Sequence, residues 1–333
     1  MLVKTSNALI YFIFSLVFVA IFVAFVGGEF IPIEKYAALP QEILDINTLF
    51  LSIFLEAIPF VLIGVFISAL IQSFIKEEHL QRFIPSNPIL AIIPGVIIGA
   101  IFPICECAVV PIVRRLVQKG MPLHVGFVIL VSAPILNPIV YLSTYYAFQS
   151  SHHVALERMG LAFVVSIILG LLIYCFYGDS NQLKGIHSSA SGHHHPHKRI
   201  GKWKETMHHA IDEFFGMGKY LLFGSLVASV IQAFLARETL LNVGHGLVSG
   251  PSAMMGMAYV LSLCSEADAF VAASFKSVTS GTSLLAFLVY GPMIDLKNTI
   301  LLFAYFKNKF VAGFLVLVTV VVFSVILLYS FWY

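Results

Sequence analysis

The apolar residues of the chain fall into long runs that are mostly free of charge and are separated by polar stretches. Seven runs are long enough to cross a roughly 30 Å hydrocarbon core as an α-helix, which rises about 1.5 Å per residue. They cover residues 8–26, 48–75, 123–148, 158–177, 214–236, 283–306 and 310–332. This pattern predicts an all-α polytopic membrane protein.

Two further apolar segments, residues 88–117 and 251–275, are interrupted near their middles, the first at Pro103. Proline removes a backbone donor and disfavours helix at the residue before it. Each segment therefore either crosses the membrane as a broken helix or re-enters on the side from which it came.

The positions of the basic residues favour a re-entrant hairpin for residues 88–117. Lys and Arg in short loops prefer the cytoplasm, and a hairpin keeps Arg114 and Arg115 on the same side as Lys76. For residues 251–275 the same test is less favourable, because the flanking Arg237 and Lys276 would both lie outside.

The chain also repeats itself. Residues 64–80 align with residues 224–240 without a gap, and six of the 17 aligned positions are identical. At the same offset Glu106 falls on Glu266. After a short gap, Ala133-Pro-Ile-Leu-Asn137 resembles Gly291-Pro-Met-Ile-Asp295.

Each half thus consists of a span, an interrupted segment and a span, and an odd number of crossings between the two starts would invert the second half. Inverted repeats whose interrupted helices meet at the midplane are a recurring transporter design. The predicted division is an N-terminal transmembrane helix and external acidic loop (1–46), repeat 1 (47–150), a connecting helix and cytoplasmic His-rich linker (151–212), repeat 2 (213–306) and a C-terminal transmembrane helix (307–333).

Composition supports an integral membrane protein and excludes other classes. The 333 residues are 59% hydrophobic and 11% charged, with a mean hydropathy of +0.95, whereas soluble domains carry about 25% charged residues. A net charge of +2 is too small to indicate a nucleic-acid partner. The four cysteines lie in apolar segments and do not have the spacing of a secreted disulfide framework.

Among the residues of the apolar segments, Glu106 is the one whose placement in the bilayer should cost the most free energy. An ionisable residue at bilayer depth costs about 2.5–3.5 kcal/mol on insertion scales, so such residues usually face protein or a watery cavity. Glu106 is therefore a candidate for binding a solute or an ion, and it would accept a proton or balance a charge.

Cys105 and Cys107 flank this glutamate. In a continuous helix their side chains would diverge by about 200° and could not both face one ligand, whereas at an extended or broken tip they can converge. Thiolates bind soft species such as Zn²⁺, Cu(I) or trivalent arsenic. The alternative is that both are small apolar side chains that pack a hairpin.

Cys264, Glu266 and Asp268 form a second, degraded copy of this pattern. Two carboxylates at bilayer depth repel each other unless water, a cation or a base intervenes. The pair predicts proton or cation coupling, and the alternative is a structural pair neutralised by Lys276 or Arg114.

Asn137 and Asp295 follow prolines, at points where helices kink and expose backbone carbonyls, and we expect both to line the cavity. Glu56, a lone acid in a long span, is either a relay residue or a partner for Lys219.

The linker between the halves is polar and rich in histidine. Imidazoles at His193, His194, His195 and His197 can bind a divalent metal such as Zn²⁺. The alternative is low-complexity drift, since no cysteine or fixed ligand pair frames the tract. We expect no other cofactor.

Three pieces of the sequence resemble the bacterial predicted-permease family that includes the organoarsenical efflux permeases. They are Pro103-Ile-Cys-Glu-Cys107, Ser132-Ala-Pro-Ile-Leu-Asn-Pro138 and Leu263-Cys-Ser-Glu-Ala-Asp268 before Gly291-Pro292. The resemblance covers about residues 45–333 and implies transport in the bacterial cytoplasmic membrane. An arsenical site would map to Cys105, Cys107 or Cys264. Some members resemble the membrane half of a two-component permease, which would make a second subunit a partner.

These observations favour a multi-pass permease that moves a small thiophilic solute, a heavy-metal ion or a trivalent arsenical, with coupling to protons or cations. Two alternatives stay open: a membrane subunit whose partner supplies substrate or energy, and a thiol redox enzyme that uses Cys105 and Cys107. The redox alternative needs a second cysteine pair or a quinone or haem site, and the sequence shows neither. We expect a transporter and not an enzyme, with the lipid bilayer and the solute as its partners.

Overall fold

The structure is a computed structural model that describes residues 41–74, 85, 87–102, 104–178, 180, 182–184, 202–234, 246 and 248–331. These residues form twelve α-helices: α1 Gln41–Phe74, α2 Ile92–Ile101, α3 Glu106–Gln118, α4 Leu123–Ser132, α5 Pro138–Ala147, α6 His152–Tyr177, α7 Lys202–Phe234, α8 Ser249–Leu261, α9 Asp268–Ser274, α10 Gly281–Met293, α11 Leu296–Tyr305 and α12 Asn308–Ser330. The predicted all-α fold is confirmed. The first predicted span, residues 8–26, lies outside the described residues.

Five stretches of the described chain are long and apolar enough to cross a membrane. They are Leu44–Phe74, His152–Tyr177, Ala210–Phe234, Gly281–Tyr305 and Asn308–Ser330. These five correspond to five of the seven predicted spans, so the prediction of a polytopic membrane protein is confirmed.

The span predicted over residues 123–148 is interrupted, in line with the helix kink expected beside Asn137. The structure divides this stretch into two ten-residue helices, α4 and α5. Pro138 is the first residue of α5, where its missing N–H costs no helical hydrogen bond. Asn137 caps the helix by accepting a hydrogen bond from the N–H of Val140 at 2.9 Å. Residues 281–305 are divided at the equivalent place, between Met293 and Leu296.

Both interrupted segments consist of two short helices. Residues 88–117 are divided between α2 and α3, and Pro103, the predicted helix breaker, falls between them and outside the described residues. Residues 251–275 are divided between α8 and α9. Ser262 ends α8 with a left-handed backbone, at φ 47° and ψ 46°.

The contacts of α4 define the directions of α2 and α3. Gly95 lies against Val125, and Gly99 lies against Ser132 near the end of α4, so α2 and α4 run in the same direction. His124 Nε2, at the start of α4, lies 3.0 Å from the carbonyl oxygen of Pro88 just before α2.

Helix α3 runs against α4, because a four-residue connection joins the two and Gly126 in the first turn of α4 packs on Val113 and Val117. Helices α2 and α3 are therefore antiparallel, and the segment begins and ends at the same end of α4.

In the second half, α8 and α10 correspond to α2 and α4. Ala258 of α8 lies against Gly291 of α10, and the Ser262 hydroxyl accepts a hydrogen bond from the N–H of Leu296 at 3.1 Å. Helices α8 and α10 thus run in the same direction. The rings of Phe275 and Phe287 join the end of α9 to α10, with centroids 6.3 Å apart.

Corresponding long helices of the two halves run antiparallel. Between α1 and α7, the Ser68 hydroxyl donates to Glu213 at 2.9 Å, while Thr206 donates to Ser73 at 2.8 Å. The contact with the higher residue number in α1 has the lower residue number in α7, so the two helices run in opposite directions.

Helices α6 and α12 also run antiparallel to each other. Tyr329 donates a hydrogen bond to Glu157 at one end, and Gly313 lies beside the Tyr177 hydroxyl at the other.

The core between the halves is aromatic. The buried ring of Phe127 in α4 meets the rings of Phe306, Phe310 and Phe314 edge to face, with centroids 5.0, 4.8 and 4.9 Å away. In water, each such aromatic pair stabilises a fold by about 0.5–1.5 kcal/mol beyond the contribution of the apolar area that it buries. They fix α4 against α12 and so hold the two halves together around the helix breaks.

Candidate functional site

The break between α2 and α3 buries Glu106 as the first residue of a helix. Cys105, the preceding residue, has an extended backbone (φ −71°, ψ 165°) and is the N-cap. A carboxylate in the first turn of a helix is stabilised by the free N–H groups and by the helix dipole. The sequence thus places its most costly acid where the backbone offers partial positive charge.

The two flanking cysteines converge. Because Cys105 is extended and Cys107 is helical, their side chains do not diverge as they would along one helix, and both line the same small cavity. Both are free thiols and buried. Of the two arrangements left open by the sequence, the structure has the broken tip.

Both thiols line a small cavity that we call the thiol chamber. Its volume is about 10 Å³, roughly that needed for one water molecule. Its walls are Ile53, Glu56, Ala57, Phe60, Cys105, Glu106, Cys107, Cys264 and Lys297. Three of the four cysteines of the chain meet here, from both halves, whereas Cys175 is exposed on α6.

Lys297 is a member of the site that the sequence analysis missed. Its ammonium lies 3.9 Å from Glu106 Oε1 and 3.5 Å from Asp295 Oδ2, and the side chains of all three are less than 5% exposed. Two carboxylates against one ammonium leave a negative charge uncompensated when all three are ionised. A lysine inside the predicted span 283–306 was a detectable signal, because charges within spans are rare and usually functional.

Beside the thiol chamber lies a larger cavity of about 450 Å³ that opens to the surface of the described structure, and we call it the vestibule. Its walls are Glu56, Phe60, Ile139, Cys264, Glu266, Ala267 and Phe270. Glu56, Phe60 and Cys264 also line the thiol chamber, so the two cavities share a wall. Glu56 therefore belongs to the site, while Lys219, its candidate partner, lies 5.0 Å from the ring centre of Tyr220.

Glu266 accepts two hydrogen bonds on one carboxylate oxygen. The Cys264 thiol donates to Oε2 at 2.6 Å, and the Ser265 hydroxyl donates to the same atom at 3.3 Å. The predicted association of Glu266 with Cys264 is thus a direct contact, at the boundary between the chamber and the vestibule.

Asp268 is not among the residues that line the chamber or the vestibule. It forms a buried ion pair with Arg158 of α6, with Oδ2 2.7 Å from the guanidinium. The same guanidinium donates to Thr144 at 2.8 Å and to the Ser265 carbonyl at 3.4 Å. The partner is neither of the two considered from sequence, because residues 110 positions apart meet only in the folded protein, here Arg158 on α6 and Asp268 at the start of α9.

Arg114, one of those two, contacts other groups. Its guanidinium lies 4.3 Å from the ring centre of Tyr305 and 3.7 Å from Glu213, which also binds Arg115 at 3.3 Å. This cluster joins α3 to α7, away from the residues that line the chamber and the vestibule.

Asn137 and Asp295 serve as helix caps. Asn137 also donates from Nδ2 to the Ala133 carbonyl at 3.0 Å, and Asp295 accepts from the N–H of Asn298 at 2.6 Å. Neither is among the residues that line the chamber or the vestibule. Both side chains cap helices at the breaks, and the expectation that they line the transport cavity stays a prediction.

Within the described residues, no group of three or more His, Cys, Asp or Glu side chains is arranged to hold a metal ion. The histidines of the linker, His193, His194, His195 and His197, lie outside the described residues. A resident metal thus stays a prediction from sequence.

A family model described as "Predicted permease" matches residues 42–331 of the chain. The chain belongs to this family of permeases. The permease is 46% identical over 284 residues to "UPF0718 protein YcgR" of Bacillus subtilis (strain 168), a match covering 85% of this chain and 96% of the relative.

A second relative comes from Streptococcus mutans serotype c (strain UA159) and is named "Putative two-component membrane permease complex subunit". The two are 38% identical over 277 residues, which cover 83% of this chain and 92% of the relative. No solved structure matches significantly. The resemblance noted from sequence is confirmed, and the permease is a multi-pass membrane protein and a transporter by family.

Proposed function

We propose that this permease moves a small thiophilic solute, a heavy-metal ion or a trivalent arsenical, across the cytoplasmic membrane by way of the thiol chamber. The observation that carries the proposal is the convergence of Cys105 and Cys107 from the first half with Cys264 from the second. Thiols are soft ligands, and three of them in one chamber favour soft solutes over hard cations.

The arrangement of the helices supports an alternating-access mechanism built on two inverted repeats. The helices α1 to α6 correspond in order to α7 to α12, and the corresponding pairs α1/α7 and α6/α12 are antiparallel. Residues 88–117 and 251–275 are then re-entrant hairpins whose tips carry the cysteines to the midplane. A solute held between two such tips becomes accessible to one side or the other as the halves rock.

The charges at the chamber support coupling to protons or cations. Glu106 Oε2 is buried and has no hydrogen-bond partner in the described structure, although Lys297 lies near the other oxygen. Burying an ion without full compensation is costly, so the uncompensated charge favours uptake of a proton or a cation together with the solute.

We also propose a second subunit. The support is the name of the Streptococcus mutans relative, which describes a subunit of a two-component complex. In that arrangement the partner would supply substrate or energy, and this chain would supply the membrane pathway.

The linker histidines His193 to His197 are proposed to gather divalent ions at the cytoplasmic mouth, since clustered imidazoles bind Zn²⁺. Deleting them should raise the solute concentration needed for half-maximal transport and leave the maximal rate nearly intact.

The deciding experiment measures accumulation of a panel of metal ions and trivalent arsenicals in a deletion strain that expresses the permease or a variant. We expect wild-type protein to change the accumulation of at least one thiophilic species, and Cys105→Ser, Cys107→Ser and Cys264→Ser each to weaken that effect. A hydroxyl nearly matches the size of a thiol, but it is a hard ligand and a far weaker acid.

Cys175→Ser is the matched control, because this exposed thiol lies outside the chamber. Normal transport of every thiophilic species by all three chamber variants would refute the proposal.

A further inference from the structure

A cavity of about 260 Å³ shares no wall residue with the thiol chamber or the vestibule, and we call it the terminal cavity. Its walls come from the places where α6 and α10 begin and where α9 and α12 end. Helices α6 and α12 are long and apolar enough to span a membrane, so these ends lie near the level of the lipid head groups. The wall residues that matter here are Glu157, Lys276, Thr279, Thr282, Leu285 and Tyr329.

The equivalent space in the first half of the molecule is filled by aromatic rings. Phe127 is the fifth residue of α4 and Phe310 is the third residue of α12, and their ring centroids lie 4.8 Å apart. The residues at the same positions of the equivalent helices are Leu285 in α10 and Val154 in α6, and both line the terminal cavity. Two rings of the first half are therefore replaced by smaller side chains where the second half has its cavity.

The second half also carries an acid at this place. Glu157 is the sixth residue of α6, and Gly313 is the sixth residue of α12. Tyr177 lies beside Gly313, whereas Tyr329 donates a hydrogen bond to Glu157. Tyr329 and His153 both contact Oε1 of Glu157, and in the described structure Oε2 has no hydrogen-bond partner. This oxygen can therefore accept a hydrogen bond from a bound molecule.

Lys276 supplies the opposite charge. Its side chain is exposed, lines the terminal cavity and forms no ion pair with Glu157 or with any other acid that the structure describes. The hydroxyls of Thr279 and Thr282 lie in the same wall. One cavity thus presents an ammonium, two hydroxyls and a carboxylate, which together complement a molecule that carries both an anionic group and a cationic group.

The surface beside the cavity is apolar. Leu156, next to Glu157, is 60% exposed, and Leu328, next to Tyr329, is 65% exposed. In a multi-pass membrane protein, exposed leucines of spanning helices contact acyl chains. A polar cavity at the end of such a surface is suited to a molecule with a charged head and an apolar tail.

We infer that the terminal cavity binds the head group of a phospholipid that carries a phosphate and a primary ammonium, as phosphatidylethanolamine does. The phosphate is held by Lys276 and the two threonine hydroxyls, and the ammonium donates to Glu157. Pockets with basic side chains between transmembrane helices are known to hold lipid head groups. The bound lipid joins α6 and α12 to the end of the second hairpin.

The test is native mass spectrometry of the purified full-length protein in detergent. Phosphatidylethanolamine, phosphatidylcholine and phosphatidylglycerol with identical acyl chains are added in turn. Phosphatidylethanolamine should bind about tenfold more tightly than phosphatidylcholine, whose quaternary ammonium has no N–H to donate to a carboxylate. The same lipid should also raise the temperature at which the protein unfolds.

Two variants remove one charge each. Lys276→Gln should weaken the binding of all three lipids, since each of them carries a phosphate. Glu157→Gln should remove the preference for phosphatidylethanolamine over phosphatidylcholine, while its amide oxygen still accepts the hydrogen bond from Tyr329. Lys309→Gln is the control, because this exposed lysine lies in the first turn of α12, away from the cavity, and its loss should change neither property.

A third variant fills the cavity. Leu285→Phe introduces the ring that Phe127 supplies in the first half, and it should abolish both the lipid preference and the increase in unfolding temperature. The inference is overturned if the parent protein binds the three lipids alike, if Lys276→Gln and Glu157→Gln keep the parental affinities, or if Lys309→Gln weakens binding as much as Lys276→Gln.

Glycerophosphoethanolamine, the same head group without acyl chains, tests the source of the ligand. It should displace the lipid poorly, because it lacks the tails that contact the leucines. Displacement at concentrations equal to those of the lipid would assign the cavity to a soluble solute and overturn the lipid assignment. These measurements do not involve the chamber cysteines, so this inference and the proposed function fail separately.

Discussion

Asn137 and Asp295 occupy the same position in the two halves of the molecule. Each is the N-cap of a ten-residue helix, and each accepts a hydrogen bond from the N–H three residues later, Val140 or Asn298. The two caps differ in charge: the Asp295 carboxylate lies 3.5 Å from the Lys297 ammonium, whereas the Asn137 amide bonds to two backbone groups, the Ala133 carbonyl and the Val140 N–H.

This relationship predicts that the two caps are interchangeable in one direction only. Asp295→Asn keeps the cap and should leave the protein folded, while Asn137→Asp adds a buried charge without a partner and should destabilise it. Replacing either cap by Ala should cost about 0.5–2 kcal/mol. Thermal unfolding in detergent, followed by the loss of monodisperse protein, measures all four. Equal effects of Asn137→Asp and Asp295→Asn would contradict the assignment.

A second prediction uses the repeated glycines. A methyl group at Gly64 would lie 2.6 Å from the Ala108 carbonyl oxygen, whereas one at Gly224 would lie 3.4 Å from its nearest neighbour, an atom of Lys297. Gly64→Ala should therefore destabilise the protein by about 1–3 kcal/mol, as overpacking does. Gly224→Ala occupies the equivalent position and should change the unfolding midpoint little. If both variants unfold alike, α3 does not pack against Gly64 as described.

The sequence predicted the helix breaks and marked the cysteines beside acids as candidate site residues because both depend on local signals. Prolines mark helix breaks, and cysteines beside acids in apolar segments mark polar sites at bilayer depth. It did not predict the Arg158–Asp268 pair, since its partners are brought together by packing between the halves. Nor did it predict that Asn137 and Asp295 would each cap a helix, because exposed carbonyls and capped helix ends look alike in sequence.

Loss of one partner of the Arg158–Asp268 pair should destabilise the folded protein. Arg158 is fully buried, and removing one partner of a buried pair costs about 3–5 kcal/mol. Asp268→Asn should reduce the yield of folded protein, and adding Arg158→Met should recover part of it. Glu106→Gln provides the comparison, as its yield should stay normal. A full yield of Asp268→Asn with lost transport would instead assign Asp268 to the solute.

Variants of Glu106 and Lys297 should show whether transport and stability depend on the charge of these side chains or on their shape. Glu106→Gln should abolish transport and leave protein levels normal, because the remaining Asp295 and Lys297 still neutralise each other. Lys297→Met should lower stability, since it leaves two buried carboxylates without a cation, and the double variant Lys297→Met/Glu106→Gln should recover much of that stability. Size-exclusion profiles and accumulation assays measure both effects. Wild-type accumulation by Glu106→Gln would make this acid structural.

The inverted arrangement predicts which face of the membrane each hairpin enters. Single cysteines at the exposed positions Asn87 and Gln118 flank the first hairpin, and cysteines at Val248 and Ser277 flank the second. On a cysteine-free background, the first pair should react with an impermeant maleimide from one face and the second pair from the opposite face, because α1 and α7 run antiparallel. Labelling of Asn87 and Gln118 from opposite faces would mean that residues 88–117 cross the membrane. Labelling of all four positions from one face would leave the hairpins but remove the inversion, and with it the alternating access that the two tips are proposed to provide.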